Sequence, residues 1–144
     1  MKARTWILIG ATALVAAAGY GLKEYFRGHD DLASQSEDYA LNAPELLAAF
    51  VNDEAATNAN YNGKVLKVTG VVTSIEAGAG EAPVNVLLDT GDAMASIMCE
   101  FKSDDLPKAW KEGSAVTVKG ICAGYLGSDL LPGNVILQRC VPVE

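Results

Sequence analysis

From Gly63 to the end of the chain, apolar and polar residues alternate in short runs separated by turns rich in glycine, proline and aspartate, the pattern of half-buried β-strands. Five runs can be read. The first, Lys64 to about Glu76, alternates Leu66 and Val68 with Lys67 and Thr69 and continues through Val71-Val72 beyond Gly70. Ala77-Gly78-Ala79-Gly80 turns into the second, Val84 to Leu88, and Asp89-Thr90-Gly91-Asp92 into the third, Met94 to Phe101, where Ala95, Ile97, Cys99 and Phe101 share a face. A polar segment over residues 103–112, holding Leu106 and Trp110, has room for one or two helical turns before Gly113. The fourth run, Ser114 to Cys122, sets Val116, Val118 and Cys122 on one side and contains Gly120. A loop with Gly124, Gly127, Pro132 and Gly133 precedes the fifth, Asn134 to about Val141.

This order is that of an OB-fold: five strands, a helical piece between the third and fourth, and a long first strand interrupted by glycine. A partly open Greek-key barrel needs its first strand to coil and serve both halves of the wall, and a bulge at Gly70 would supply that bend. A two-layer β-sandwich is the competing architecture, for which five strands are too few.

A helix precedes the strands. Asn42 is a good N-cap, Glu45 stands three residues on as in a capping box, and Pro44 lies in the first turn, where its missing N–H costs nothing. Leu41 and Leu46 occupy the hydrophobic-staple positions, and Leu46, Leu47, Phe50 and Val51 recur on one face. The pattern fades through residues 55–58. A helix this short is not stable alone, so its apolar stripe must dock on the strands.

The start of the chain differs in kind. Lys2 and Arg4 precede an uncharged stretch from Thr5 to Leu22, 18 residues, which as a helix would be about 27 Å long, close to the hydrocarbon thickness of a bilayer. The basic N-terminus favours an orientation that leaves the rest of the chain outside the cytoplasm, although Lys23 and Arg27 oppose it. A cleaved signal peptide is the alternative, with Ala16-Ala17-Ala18 before Gly19 as its processing site. Residues 23–41 are polar and non-periodic and read as a flexible stalk. The expected organisation is therefore a transmembrane or signal-anchor segment (1–22), a stalk (23–41), and a helix plus OB-fold domain (42–144). The fold class is mainly β, a five-stranded OB-fold barrel preceded by a packing α-helix and an N-terminal transmembrane helix. The expected location is the inner membrane, single-pass, with the C-terminal domain on the periplasmic side.

Charge bears on function. Residues 29–144 carry seven basic and 17 acidic groups, a net of −10. Such a domain repels phosphate backbones unless it holds a local basic patch.

The stretch from Ala55 to Val141 resembles the bacterial tRNA_anti-like family. The residues that carry the resemblance are Ala56, Asn58, Tyr61, Gly63-Lys64, Val68-Thr69-Gly70, Cys99-Glu100-Phe101, Gly113, Val116-Thr117-Val118-Lys119-Gly120, Cys122, Gly124-Tyr125-Leu126 and Cys140. The resemblance implies an OB-fold and often an envelope or membrane placement. It implies no ligand and no catalytic residues. The loop after Gly124, YLGSDLLPGN, is longer than the family's usual one.

Few residues suit chemistry. Cys99, Cys122 and Cys140 are core thiols or, in an oxidising compartment, a disulfide pair and one free thiol. Cys99 and Cys140 would lie near the ends of parallel neighbouring strands, and Cys122 and Cys140 on adjacent antiparallel ones, so the sequence leaves the pairing open. There is no C-x-x-C motif for redox work or zinc. His29, the only histidine, sits in the stalk beside Asp30 and Asp31, too few ligands for a metal and poorly placed for nucleophilic catalysis. Asp89, Asp92, Asp104 and Asp105 suit turns. No cofactor, metal or enzymatic activity is expected.

The remaining function is binding. The second strand, VNVLLD, lacks the aromatic and basic residues with which OB-folds hold single strands, and the third, MASIMCEF, has only the inward Phe101. Tyr61, Lys64, Lys67, Lys119 and Tyr125 are the candidate ligand-binding residues. A protein or peptide partner in the cell envelope is expected, with a single-stranded, tRNA-like nucleic acid as the alternative.

Overall fold

The structure, a computed structural model, describes residues 31–128, 130 and 133–144. The predicted anchor at 5–22 and His29 lie outside the described residues. Among the described residues no helix is long and apolar enough to cross a membrane.

The elements are α1 (Asp31–Ser34), β1 (Tyr39–Asn42), α2 (Ala43–Asn52), α3 (Glu54–Tyr61), β2 (Val65–Ala77), β3 (Val84–Asp89), β4 (Ser96–Phe101), a 3-10 turn (Ser103–Asp105), β5 (Ala115–Leu126) and β6 (Asn134–Val143). The five predicted strands are β2–β6, and they close into a barrel. β2 pairs antiparallel with β5 from Val65 to Val71 and with β3 from Val72 to Ala77, so one long strand serves both halves of the wall. β3 pairs antiparallel with β4, β4 parallel with β6, and β6 antiparallel with β5. Alternation fills the interior: Val86, Leu88, Ile97, Cys99, Phe101, Val118, Val135 and Leu137 are fully buried.

The bend in β2 is not where the sequence suggested. Gly70 sits in unbroken register opposite Val116, and the irregularity falls between Val72 and Ser74. Glycine stands at position 70 because the wall is crowded there: a Cβ would lie 3.1 Å from that of Ala43 and 3.2 Å from that of Leu88. The site needs a missing side chain, not backbone freedom.

The helix docks as expected except at Val51, which is exposed rather than on the buried face. The Asn42 side chain accepts from the Glu45 N–H at 2.9 Å, the Glu45 carboxylate accepts from the Asn42 N–H at 3.1 Å, and Pro44 lies in the first turn. Ala43, Leu46, Leu47 and Phe50 are buried in the same core as the strand residues. Instead of fading at residues 55–58, the chain starts a second helix, α3. Asp53 breaks the first (φ −155°) and its side chain caps the second by accepting from the Ala56 N–H at 3.0 Å. Thr57 Oγ1 ties the two by donating to the Ala49 carbonyl at 2.7 Å.

The predicted stalk is corrected over its second half. Residues 31–42 form a strap laid on the barrel. Leu32 is buried, and α1 packs on β5 and β6. Asp38 clasps Val65, donating from its N–H to the carbonyl at 2.8 Å and accepting from the N–H at 2.9 Å. β1 then pairs parallel with β2, Tyr39 opposite Leu66 through Asn42 opposite Thr69. A backbone edge accepts one neighbour, so β1 takes the edge of β2 that β5 leaves free. The strap's polar, aperiodic sequence hides this, because its contacts run through backbone groups rather than an apolar face.

β5 also runs past Cys122 to Leu126, so residues 127–133 form the connection to β6. The long loop after Gly124 is partly strand, with the pairing of β5 and β6 intact from Gly124 to Leu126.

Candidate binding face

The alternation that points Val86, Ile97 and Leu137 inward points their neighbours out. On β3, β4 and β6 these are Leu87, Met98 and Ile136, and they fall in one row: Leu87 pairs with Met98, and Met98 with Ile136. The row ends at Gly124 of β5, which offers no side chain. Each of the three is half-buried. An apolar row three strands wide thus lies on the outer wall where polar residues are the rule.

The rows on either side are polar and acidic. Asn85 and Glu100 are paired on one side, with Glu76 opposite Asn85, and Asp89 and Ser96 are paired on the other. Neither β3 nor β4 contributes a basic residue. The row is bracketed by two clefts at opposite ends of β4. One, of about 350 Å³, lies among Thr73, Leu87, Asp89, Asp92, Met94 and Asn134. Its turn is built by Asx contacts, the Asp89 side chain accepting from the Gly91 N–H at 2.9 Å and the Asp92 side chain from the Met94 N–H at 2.8 Å. Met94 stands 63% exposed at its rim. The other cleft, of about 220 Å³, lies among Leu32, Glu100, Lys102, Asp105, Arg139 and Cys140.

The residues singled out from sequence lie elsewhere. Lys67 and Lys119 are direct partners across β2 and β5, but they hold the strap. Lys119 is only 7% exposed; its Nζ donates to the Gln35 carbonyl at 2.8 Å and the Ala33 carbonyl at 3.4 Å, and lies 3.6 Å from Glu37. Lys67 lies 3.8 Å from the same carboxylate. The carboxyl of Glu37 is held below its ordinary value, first by its own backbone N–H, against the opposing effect of desolvation, and then by Lys67 and Lys119. Tyr61 and Tyr125 both pack on Phe50, with ring centroids at 6.5 Å and 5.6 Å. The Tyr125 hydroxyl accepts from the Gly133 N–H at 2.8 Å and so pins the loop between β5 and β6. Lys64 is exposed in the bend just before β2. Sequence reasoning missed Leu87, Met98 and Ile136, yet each is an apolar residue in the polar phase of its strand, a signal that was present.

The three cysteines are free and buried. Burial, slightly offset by the Gly124 backbone, pushes the Cys122 thiol up. Among the described residues no group of three or more His, Cys, Asp or Glu side chains is placed to hold a metal ion.

A family model described as tRNA_anti-like matches residues 1–141. No curated protein matches the chain. A crystal structure from Klebsiella pneumoniae, of a protein named as a candidate nucleic acid-binding lipoprotein, is similar with a TM-score of 0.56 at 24% identity, over 81% of this chain and 98% of that one. The asparaginyl-tRNA synthetase of Entamoeba histolytica in complex with asparaginyl-adenylate gives a TM-score of 0.41 at 16% identity, over 72% of this chain and 23% of that one. The first likeness agrees with the barrel described above.

Proposed function

The chain belongs to the tRNA_anti-like family, and from that premise we propose that its barrel is a binding module, tethered to the inner membrane by residues 5–22 with the domain on the periplasmic side, that engages a protein or peptide through the outer face of β3, β4 and β6. The observation that carries this reading is the row Leu87–Met98–Ile136 between acidic flanks. A nucleic acid needs cations for its phosphates and rings for its bases, and the outer faces of β3 and β4 offer neither, the one ring, Phe101, being buried. An apolar segment flanked by basic residues is the complement of such a face. The uncharged 18-residue stretch after Lys2 and Arg4 supports the tether.

The test is site-specific photo-crosslinking in native membranes. A photoreactive residue at Met98 should give a discrete protein adduct that Leu87→Glu abolishes, while the same residue at Thr117, on β5 away from the row, should give none. Adducts from Thr117 alone would refute the assignment of the face.

One observation favours a second reading. Tyr39 is 40% exposed and stands edge-on to Tyr61 at 4.7 Å, and the Tyr61 carbonyl accepts from the N–H of the exposed Lys64 at 2.9 Å, so a ring and a cation that a single strand could use both flank Tyr61. The protein named above as a nucleic acid-binding lipoprotein points the same way. Micromolar oligonucleotide binding at physiological salt, lost in Tyr39→Ala and Lys64→Glu, would put this reading in place of the first.

A further inference from the structure

The path of β6 contains one residue too many. Val135 and Leu137 point inward, so regular alternation would bring Arg139 into the core and turn Cys140 out. The reverse is seen: Gln138 and Arg139 are both exposed, and Cys140 is buried. A bulge makes the change. On the β5 side Lys119 faces Val141 but Ile121 faces Gln138, and on the β4 side Cys99 faces Leu137 but Phe101 faces Cys140. The extra residue, Arg139, holds φ +55°, the only non-glycine residue with positive φ among those described. A residue with a Cβ keeps that conformation only where its surroundings impose it, and bulges of this kind gather where a side chain is re-aimed beside a site.

Here the bulge borders the cleft of about 220 Å³ at this end of β4 and β6. It gives Cys140 to the floor of the cleft and Arg139 to its rim. The floor is apolar: Leu32, Phe101 and Cys140 are buried there and Val141 is half-buried. Four charged side chains line the same cleft, Lys102 and Arg139 of one sign and Glu100 and Asp105 of the other. Among the described residues none of these four side chains makes an ion pair or a hydrogen bond. Both signs are therefore left free to meet a ligand.

Size, floor and rim together restrict what fits. Pockets for drug-sized molecules hold about 300–1,000 Å³, and this one has room for roughly seven waters at about 30 Å³ each, so its ligand is small. The floor calls for an apolar body. The rim carries as many anions as cations, so a simple anion or cation meets a like charge as readily as an opposite one, whereas a zwitterion finds a complement for each end. We propose that the cleft binds a free amino acid with an apolar side chain. Its carboxylate lies at Arg139 and Lys102, its ammonium at Glu100 and Asp105, and its side chain against Leu32, Phe101 and Val141. Leu87, Met98 and Ile136 do not line the cleft, so this site is separate from the peptide-binding face. Leu32 belongs to the strap, so a ligand in the cleft also holds the strap on the barrel.

The test uses the full chain in detergent, labelled with nitrogen-15 and titrated with L-leucine while amide resonances are followed by NMR. N-acetyl-L-leucine lacks the ammonium, L-leucinamide lacks the carboxylate and glycine lacks the apolar side chain; each is titrated alongside. L-leucine should give saturable shifts at Leu32, Lys102 and Val141 and slow amide exchange across residues 32–38. Each of the other three should bind about tenfold more weakly or worse. Arg139→Gly separates binding from folding, because glycine takes a positive φ without strain. The urea midpoint of this variant should equal or exceed that of wild type, while its affinity for L-leucine falls about tenfold or more. No saturable shift at the cleft, equal binding of any of the three analogues, or unchanged affinity in Arg139→Gly would each overturn the proposal. The first two outcomes are read on the wild-type chain and need no variant.

Discussion

Adding one methyl group at Gly120 should destabilise the barrel, and removing one sulfur should relieve the clash. The Cβ of Gly120→Ala would stand 2.6 Å from Cys140 Sγ, 3.2 Å from Leu137 Cβ and 3.4 Å from the Gln138 carbonyl oxygen. An ordinary carbon–sulfur contact is about an ångström longer than the first of these, and Cys140 has little room to move: it is buried and its Sγ donates to the Leu137 carbonyl at 3.4 Å. Overpacking of this kind costs about 1–3 kcal/mol. Replacing glycine by alanine inside a strand returns roughly 0.5–1 kcal/mol, so the net loss should be about 1–2 kcal/mol. Cys140→Ala alone removes one buried heavy atom and should cost on the order of 1 kcal/mol. In the double variant the new methyl occupies the space the sulfur leaves, so the total loss should fall short of the sum by about 1–2 kcal/mol. Urea unfolding of all four forms in reducing buffer, followed by circular dichroism, measures each term. Additivity to within about 0.5 kcal/mol would mean that the methyl and the sulfur do not compete, and the placement of Cys140 over Gly120 would be wrong.

Lys119→Met should cost about 1–3 kcal/mol, the range for hydrogen bonds to a charged group, and should speed amide exchange across residues 33–38; unchanged exchange there would show that the strap is held by other contacts. Glu37 has a folded-state pKa below its ordinary value of 4.5, so its contribution is fully present above that value and is lost as pH falls through the folded value; strap exchange in wild type should rise at that point, and in Glu37→Gln it should not. Asn42→Ala removes the cap of α2 and should lower stability by about 0.5–2 kcal/mol in urea, whereas Asn42→Asp should be near neutral.

The candidate site was only partly legible in sequence. Tyr61, Lys64, Lys67, Lys119 and Tyr125 have the residue types that bind ligands, but type does not say what a side chain meets. Lys67 and Lys119 meet Glu37 and the strap carbonyls, and Tyr125 meets Phe50 and Gly133. Leu87, Met98 and Ile136 become a face only when three strands set them in register. Each strand carries just one of them.

Local rules explain what the sequence by itself determined. The five strands, the inward set Ala95, Ile97, Cys99 and Phe101, and the capping box at Asn42 and Glu45 follow from periods of two and 3.6 residues and from hydrogen bonds that span three positions. Everything that needed a partner strand was decided by the tertiary structure. An extra residue at Arg139 is invisible until β6 is laid beside β4 and β5 and the count fails to match. Gly70 reads as a bend until α2 and β3 are seen to fill the space its side chain would take. The strap reads as a linker because its ties to Lys119 and Val65 run mainly through backbone groups, which every residue has and no composition reveals.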